Sequence, residues 1–205
     1  MAVKDYNKNV FVNCPFDGQY RNLFRAMTFT IIDCGFRPRC AQEIDDASQV
    51  RMAKIEGLIE QSRYGIHDLS RTELDKTSEL PRFNMPLELG VFLGAKRFGD
   101  SAQRRKSCLI FDIEPYRYQQ FISDIAGQDV TAHQNDYKKV VKQVRNWLRA
   151  QSKRKTIPGG AIILERYEEF QAALPSICED LKFDPEDQLP FSDYVYTVGH
   201  WLKDE

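Results

Sequence analysis

Short apolar runs alternating with helix-periodic segments are what most limits how this chain can fold. Asn9-Val10-Phe11-Val12-Asn13 is closed by Pro15 and the Asp17-Gly18 turn signal, and predicts a buried strand. Over residues 20–34, Tyr20, Leu23, Phe24, Met27 and Ile31 recur at helical spacing, and Gly35 ends the run. Residues 36–41 predict a second strand. There Arg37 and Arg39 alternate with Phe36, Pro38 and Cys40, which suits a sheet edge. An acidic loop at 43–48 leads into a helix over 49–61, with Val50, Ile55, Leu58 and Ile59 on one face. A third strand is expected at 64–69, a polar turn-rich loop at 71–82, a helix at 85–98 and the clearest strand at 107–112. A short helix at 118–125 and a short strand at 130–132 follow.

This order predicts an α/β fold of the flavodoxin-like class, a mainly parallel sheet with helices on both faces. Extra helices fill the C-terminal part. Asn135-Asp136 caps an amphipathic helix carrying Tyr137, Val140, Val141, Val144, Trp147 and Leu148 on one stripe. Residues 151–156 are basic and polar, and Pro158-Gly159-Gly160 makes a break. A helix over 161–182 meets Pro175 as a kink or boundary, and a last helix covers 194–202. The expected organisation is a core at 1–135 with a helical region at 136–205 packed on it.

With 205 residues, 42% of them hydrophobic, the chain can bury a full core without disulfides or metals. Its five cysteines are odd in number and lack C-x-x-C spacing, so free thiols are expected. The formal net charge of −1 gives no overall basic excess, so neither direct nucleic-acid binding nor membrane attachment is expected. Lys96, Arg97 and Arg104-Arg105-Lys106 read as solvated loop charges. The N-terminus has no apolar leader and no run reaches the length of a membrane span, so a cytoplasmic location is expected. Phosphate-loop motifs and metal-spaced His/Cys clusters are missing from the sequence, so no metal or other cofactor is expected.

In parallel α/β sheets, ligands bind outside the carboxyl ends of the strands. That rim collects Asn13, Phe16, Asp17 and Tyr20 after the first strand, Asp68, Ser70 and Arg71 after the third, and Arg82, Asn84 and Glu88 around the start of the following helix. Glu88 lies among Leu87, Leu89, Val91 and Phe92. A carboxylate in apolar surroundings takes a partner, a raised pKa or a chemical role. It also fits a plainer part, a helix N-terminal acid that complements the dipole and faces water. Asp17 fits a turn former and Asp68 a strand-end cap equally well. His67, next to Asp68, would point to the other side of the sheet. Acids joined by aromatics suit cleavage at an anomeric carbon, where the transition state is cationic. Arg71 and Arg82 suit phosphates.

Three segments carry a family resemblance: Val10-Phe11-Val12-Asn13-Cys14-Pro15-Phe16-Asp17, then Ser62-Arg63-Tyr64-Gly65-Ile66-His67-Asp68-Leu69-Ser70, then Met85-Pro86-Leu87-Glu88-Leu89-Gly90. Over roughly residues 9–135 the chain resembles the nucleoside 2-deoxyribosyltransferase superfamily and the related TIR-like domains. The resemblance implies Glu88 as the catalytic glutamate and Asp68 as the supporting acid. It implies cleavage or exchange of an N-glycosidic bond on a nucleoside or a nucleotide such as NAD, and for TIR-like domains a role in bacterial defence. A non-catalytic module that senses a nucleotide or assembles with its own copies stays open beside the enzyme. The C-terminal aromatics Tyr167, Phe170, Phe191, Tyr194, Tyr196 and Trp201 either pack on the sheet or form the interface of an expected homo-oligomer.

Overall fold

The structure is a computed structural model that describes residues 5–43, 46–72, 74 and 79–204. The acidic loop at 43–48 and the loop at 71–82 each lie partly outside the described residues. Five strands, β1 (Asn9–Asn13), β2 (Arg37–Arg39), β3 (Tyr64–Asp68), β4 (Ser107–Asp112) and β5 (Val130–Ala132), form one sheet in the order β2-β1-β3-β4-β5. The pairs β1–β3, β3–β4 and β4–β5 are parallel, with Val12 opposite Ile66 and Ile66 opposite Leu109. Among the described residues there are six α-helices: α1 (Arg21–Asp33), α2 (Arg51–Glu60), α3 (Asn84–Phe98), α4 (Tyr137–Ser152), α5 (Gly160–Leu181) and α6 (Phe191–Asp204). This is the flavodoxin-like α/β fold, and its strand order reverses direction between β1 and β3.

The chain divides into two compact units, residues 1–21 with 38–136, and residues 22–37 with 137–205. Residues 22–37 group with the C-terminal helices.

In the sheet unit, α2 and α3 cover one face through Phe11, Ile55, Leu58, Ile59 and Phe92, and through Leu69, Met85, Leu89 and Ile110. Gly65 is required there. A Cβ at this position would sit 2.7 Å from Phe92 Cε2 and 2.8 Å from His67 Nε2. His67 shares that face, its ring 4.9 Å from the Phe92 ring. Successive strand residues point to opposite faces, so Asp68 points away from α3. Lys106 is no loop charge. It is buried, lies 4.7 Å over the Phe92 ring, and its Nζ donates to the carbonyls of Ile59 and Ser62, capping the end of α2.

The helical unit has an aromatic core. Phe29 of α1 packs against Tyr167, Phe170 and Trp201, and Phe24 stacks on Phe191. The C-terminal aromatics are therefore largely used within their own unit, and only Tyr196 is well exposed, at 56%. Two expectations differ from the outcome. Pro175 is not a boundary, because α5 runs through it with Phe170, Leu174 and Cys178 buried on either side. Proline in a helix costs about 3 kcal/mol, which this burial offsets. The helix expected at 118–125 is two 3-10 turns, Arg117–Gln120 and Ser123–Ile125, because Ile122 leaves helical backbone at φ −148°.

Candidate functional site

The rim at the β1/β3 reversal holds a cavity of about 310 Å³ lined by Asn13, Cys14, Pro15, Phe16, Asp17, Arg51, Arg82, Asn84, Met85 and Glu88. A smaller cavity of about 190 Å³ shares Arg51, Asn84 and Glu88 with it. Glu88 thus borders both. Helix α3 begins at this cavity, so its free N–H groups and positive dipole end face any anion bound there.

Asn13 fixes the local geometry. Its amide Nδ2 donates to the Met85 carbonyl (2.9 Å) and lies 3.1 Å from His67 Nδ1. The Met85 bond requires the amide nitrogen on that side, so His67 Nδ1 is the acceptor and its proton sits on Nε2. One buried side chain thereby ties the ends of β1 and β3 to the first turn of α3. His67 is held neutral: burial, then the nearby Lys106 cation, push its pKa down to about 3.

Glu88 is 7% exposed, so it is not a surface acid that faces water. Burial raises its pKa to about 7, against a smaller downward pull from the Arg51 cation. It lies at the fifth residue of α3, past the first turn. Near neutral pH it is therefore divided between carboxylate and acid. Cys14 is also in the cavity wall, but burial, with Asp68 and other neighbouring acids, holds its thiol well above the ordinary range. It is a poor candidate for a thiolate nucleophile.

The sequence reading places Asp68 beside Glu88, but of the two only Glu88 lines the cavity. Asp68 is fully buried and does not line the cavity. Its Oδ2 accepts the Tyr20 hydroxyl and its Oδ1 accepts the Ser70 backbone N–H (2.8 Å). His133 Nε2 lies 3.0 Å from Oδ2, off the ideal hydrogen-bond line. Because His133 Nδ1 accepts the Asn135 N–H (2.9 Å), the Nε2 carries the proton that faces Asp68. Burial opposes the Asp68 charge, but the bonds from His133, Ser70 and Tyr20 together keep its pKa below the ordinary value. Tyr20 and Ser70 thus serve Asp68 and are absent from the cavity wall.

Of the residues expected from sequence, the cavity gathers Asn13, Phe16, Asp17, Arg82, Asn84 and Glu88. Asp17 Oδ1 accepts the backbone N–H groups of Gln19 and Tyr20, as a turn former does. Arg71 stands 3.6 Å from Asp17 and donates to Gln19 Oε1, outside the cavity lining. Three residues were not anticipated. Arg51, at the start of α2, puts a second arginine in the cavity. His133 completes the Asp68 network. Arg117 clamps Asp112 with two donors (2.8 and 2.6 Å) and reaches the Leu69 carbonyl (2.8 Å), tying the end of β4 to the segment after β3. The only sequence signal for Arg51 was its place at a helix start behind an acidic loop.

Among the described residues, no group of three His, Cys, Asp or Glu side chains is placed to hold a metal ion, and no helix is long and apolar enough to cross a membrane. No protein-family model matches the sequence, and no curated protein matches it significantly.

Proposed function

We propose that the protein cleaves or exchanges the N-glycosidic bond of a nucleotide or nucleoside, using Glu88. The observation that carries this reading is the buried Glu88, its pKa near 7, in a rim cavity beside Arg51 and Arg82. A carboxylate that is costly to desolvate in the empty site gains most when positive charge develops next to it. The anomeric carbon of a ribosyl group becomes cationic as its bond to the base breaks. Arg51, Arg82 and the α3 N-terminus offer donors to phosphate, and Phe16 offers a face for a ring.

In the step itself the C1′–N bond breaks and its electron pair leaves with the base nitrogen. Glu88 stabilises the cation or bonds to C1′, and water or a second base then completes hydrolysis or exchange. Asp68 is held in its own hydrogen bonds, so among the described residues no second buried acid lines the cavity to protonate a departing base. A pyridinium base such as nicotinamide leaves neutral and needs no proton. That favours an NAD-type dinucleotide over a purine nucleoside.

The same placement of Asp68 favours a second reading, a nucleotide-binding module without turnover. One assay separates them. The purified protein is incubated with NAD, nucleosides and nucleotides, and free base is followed by chromatography. Release of nicotinamide from NAD, lost in Glu88→Gln, is the expected result. Nucleotide binding that depends on Arg51 and Arg82, with no base released from any substrate, would replace the enzyme with the binding module.

A further inference from the structure

The near-zero net charge conceals strong local segregation. From Tyr137 to Leu164 the chain has no Asp or Glu, yet it carries Lys138, Lys139, Lys142, Arg145, Arg149, Lys153, Arg154 and Lys155. These are eight of 29 Lys and Arg, leaving 21 against 30 acids elsewhere. We propose that this surface, α4 and the turn that follows it, binds the phosphate backbone of a nucleic-acid strand.

Helical geometry puts the cations in register. Lys138, Lys142, Arg145 and Arg149 are spaced four, three and four apart, so they share one stripe about 16 Å long. Lys153, Arg154 and Lys155 continue it past the end of the helix. The apolar stripe of α4, Val140, Val141, Val144 and Leu148, is buried and separate from it. The surface is concave. A cavity of about 390 Å³ is lined by Arg145, Asn146, Arg149, Ala150, Lys153, Arg154 and Lys155, and a second of about 440 Å³ by Lys138, Lys139, Lys142, Asn146, Gly160, Ala161 and Leu164. Asn146 lines both, so the two form one track.

Helix stability does not account for the pattern. Cations near the C-terminus of α4 complement its dipole, but Lys138, Lys139 and Lys142 in the first half oppose it. Intramolecular pairing does not account for it either. Lys138 pairs with Glu168 (3.2 Å), whereas no ion pair joins Lys142, Arg145, Arg149, Lys153, Arg154 or Lys155 to a carboxylate among the described residues. Arg145 and Arg154 are held in place by main-chain carbonyls, Arg145 by Pro158 and Ile157 and Arg154 by Gly35. Those bonds orient the guanidinium groups without neutralising them.

The length selects the ligand. At about 3.4 Å per nucleotide step, 16 Å of helix spans some five phosphates, more than a mononucleotide offers. Because the apolar face of α4 is buried, it has nothing to insert into a lipid surface. The inference is independent of the Glu88 cavity, and its failure would leave that reading untouched.

The test uses the full chain and fluorescence anisotropy with labelled 20-nucleotide single-stranded DNA, the same sequence as RNA, and the DNA duplex, across 50–200 mM salt. Binding that weakens with salt is expected. The variant Lys142→Ala/Arg149→Ala/Lys153→Ala/Lys155→Ala changes only exposed side chains and should keep its far-UV circular dichroism. It should lose at least about tenfold in affinity, and its salt slope should flatten by about 0.7 to 0.9 per cation removed. The ranking of the three oligonucleotides then identifies the strand type. No oligonucleotide binding at 50 mM salt, an unchanged slope in the folded variant, equal affinity for inorganic tripolyphosphate, or tighter binding to phosphatidylserine vesicles would each overturn the proposal.

Discussion

Replacing Glu88 with glutamine should stabilise the protein while removing the proposed activity, and the gain should depend on pH in a defined direction. The folded-state pKa is about 7 and the ordinary value 4.5. Between these values the folded state holds a proton that the unfolded chain has released. Wild-type stability therefore falls as pH rises through this window, and below about 4.5 the residue contributes no such penalty. A shift of about 2.5 units at 1.36 kcal/mol each sets a ceiling of about 3 kcal/mol. Glutamine keeps the shape and removes the charge, so the stability of Glu88→Gln relative to wild type should climb by up to that amount between pH 4.5 and 8.

The measurement is urea unfolding at several pH values. Trp147 and Trp201 both lie in the helical unit, so far-UV circular dichroism, which also reports the sheet unit, is the better probe. A stability difference that stays flat across the window would show that Glu88 is not desolvated, and the electrostatic basis of the proposed site would fail. If Glu88 acts as the carboxylate, kcat/KM should also rise with pH around a midpoint near 7, and Glu88→Gln should lower it by about 10²-fold or more.

Arg51→Ala and Arg82→Ala should each weaken binding of a nucleotide by about 1.5–3 kcal/mol while leaving the matching nucleoside nearly unaffected, as read by calorimetry. Gly65→Ala should destabilise the sheet unit by about 1–3 kcal/mol, because its Cβ would collide with Phe92 and His67; an unchanged melting temperature would refute that packing. Asp68→Asn should cost about 1–3 kcal/mol of stability through its hydrogen bonds with Tyr20, Ser70 and His133, yet leave ligand affinity at the Glu88 cavity in place; lost affinity with stability kept would return Asp68 to the site. Burial lowers the Lys106 pKa from 10.5 to about 8, so folding gains stability as pH rises from 8 towards 10.5, and the difference between wild type and Lys106→Met should move in wild type's favour by up to about 3 kcal/mol in that window.

Much of this architecture is legible in the sequence. The strands at 9–13, 107–112 and 130–132 have the bounds their apolar runs suggest. The turn chemistry of Pro15, Asp17 and Gly18 marks where β1 must end, and parallel topology then places the cavity at the strand ends. Long-range contacts are less legible. Arg51 is adjacent to Glu88 only because α2 and α3 pack side by side, and nothing local to Arg51 states that. His133 acts on Asp68, and Arg117, besides its neighbour Asp112, on the Leu69 carbonyl, dozens of positions away. Lys106 sits in a basic run and looks solvated, but the capping of α2 and two aromatic rings keep it inside. Net charge carries no information about local charge, because eight cations on one helix and turn cancel against acids spread over the rest of the chain.

Asp68 shows why one part of the site was not legible from polarity alone. In a half-buried strand, polar residues alternate with apolar ones and reveal which face each residue takes. In β3, all five residues from Tyr64 to Asp68 are buried. A strand covered on both faces has no such alternation, so polarity gives no cue to its facing. The His67-Asp68 pair offers two polar neighbours, and one of them must point towards α3. Choosing Asp68 makes it a partner for Glu88, whereas choosing His67 removes it. The space above Gly65 decides the matter: the missing side chain leaves room that the His67 and Phe92 rings fill together. Gly65 and His67 are two apart and share a face, so Asp68 is forced to the other side, where Tyr20 and His133 meet it. The glycine in the middle of a strand was the available signal, and it points to the histidine.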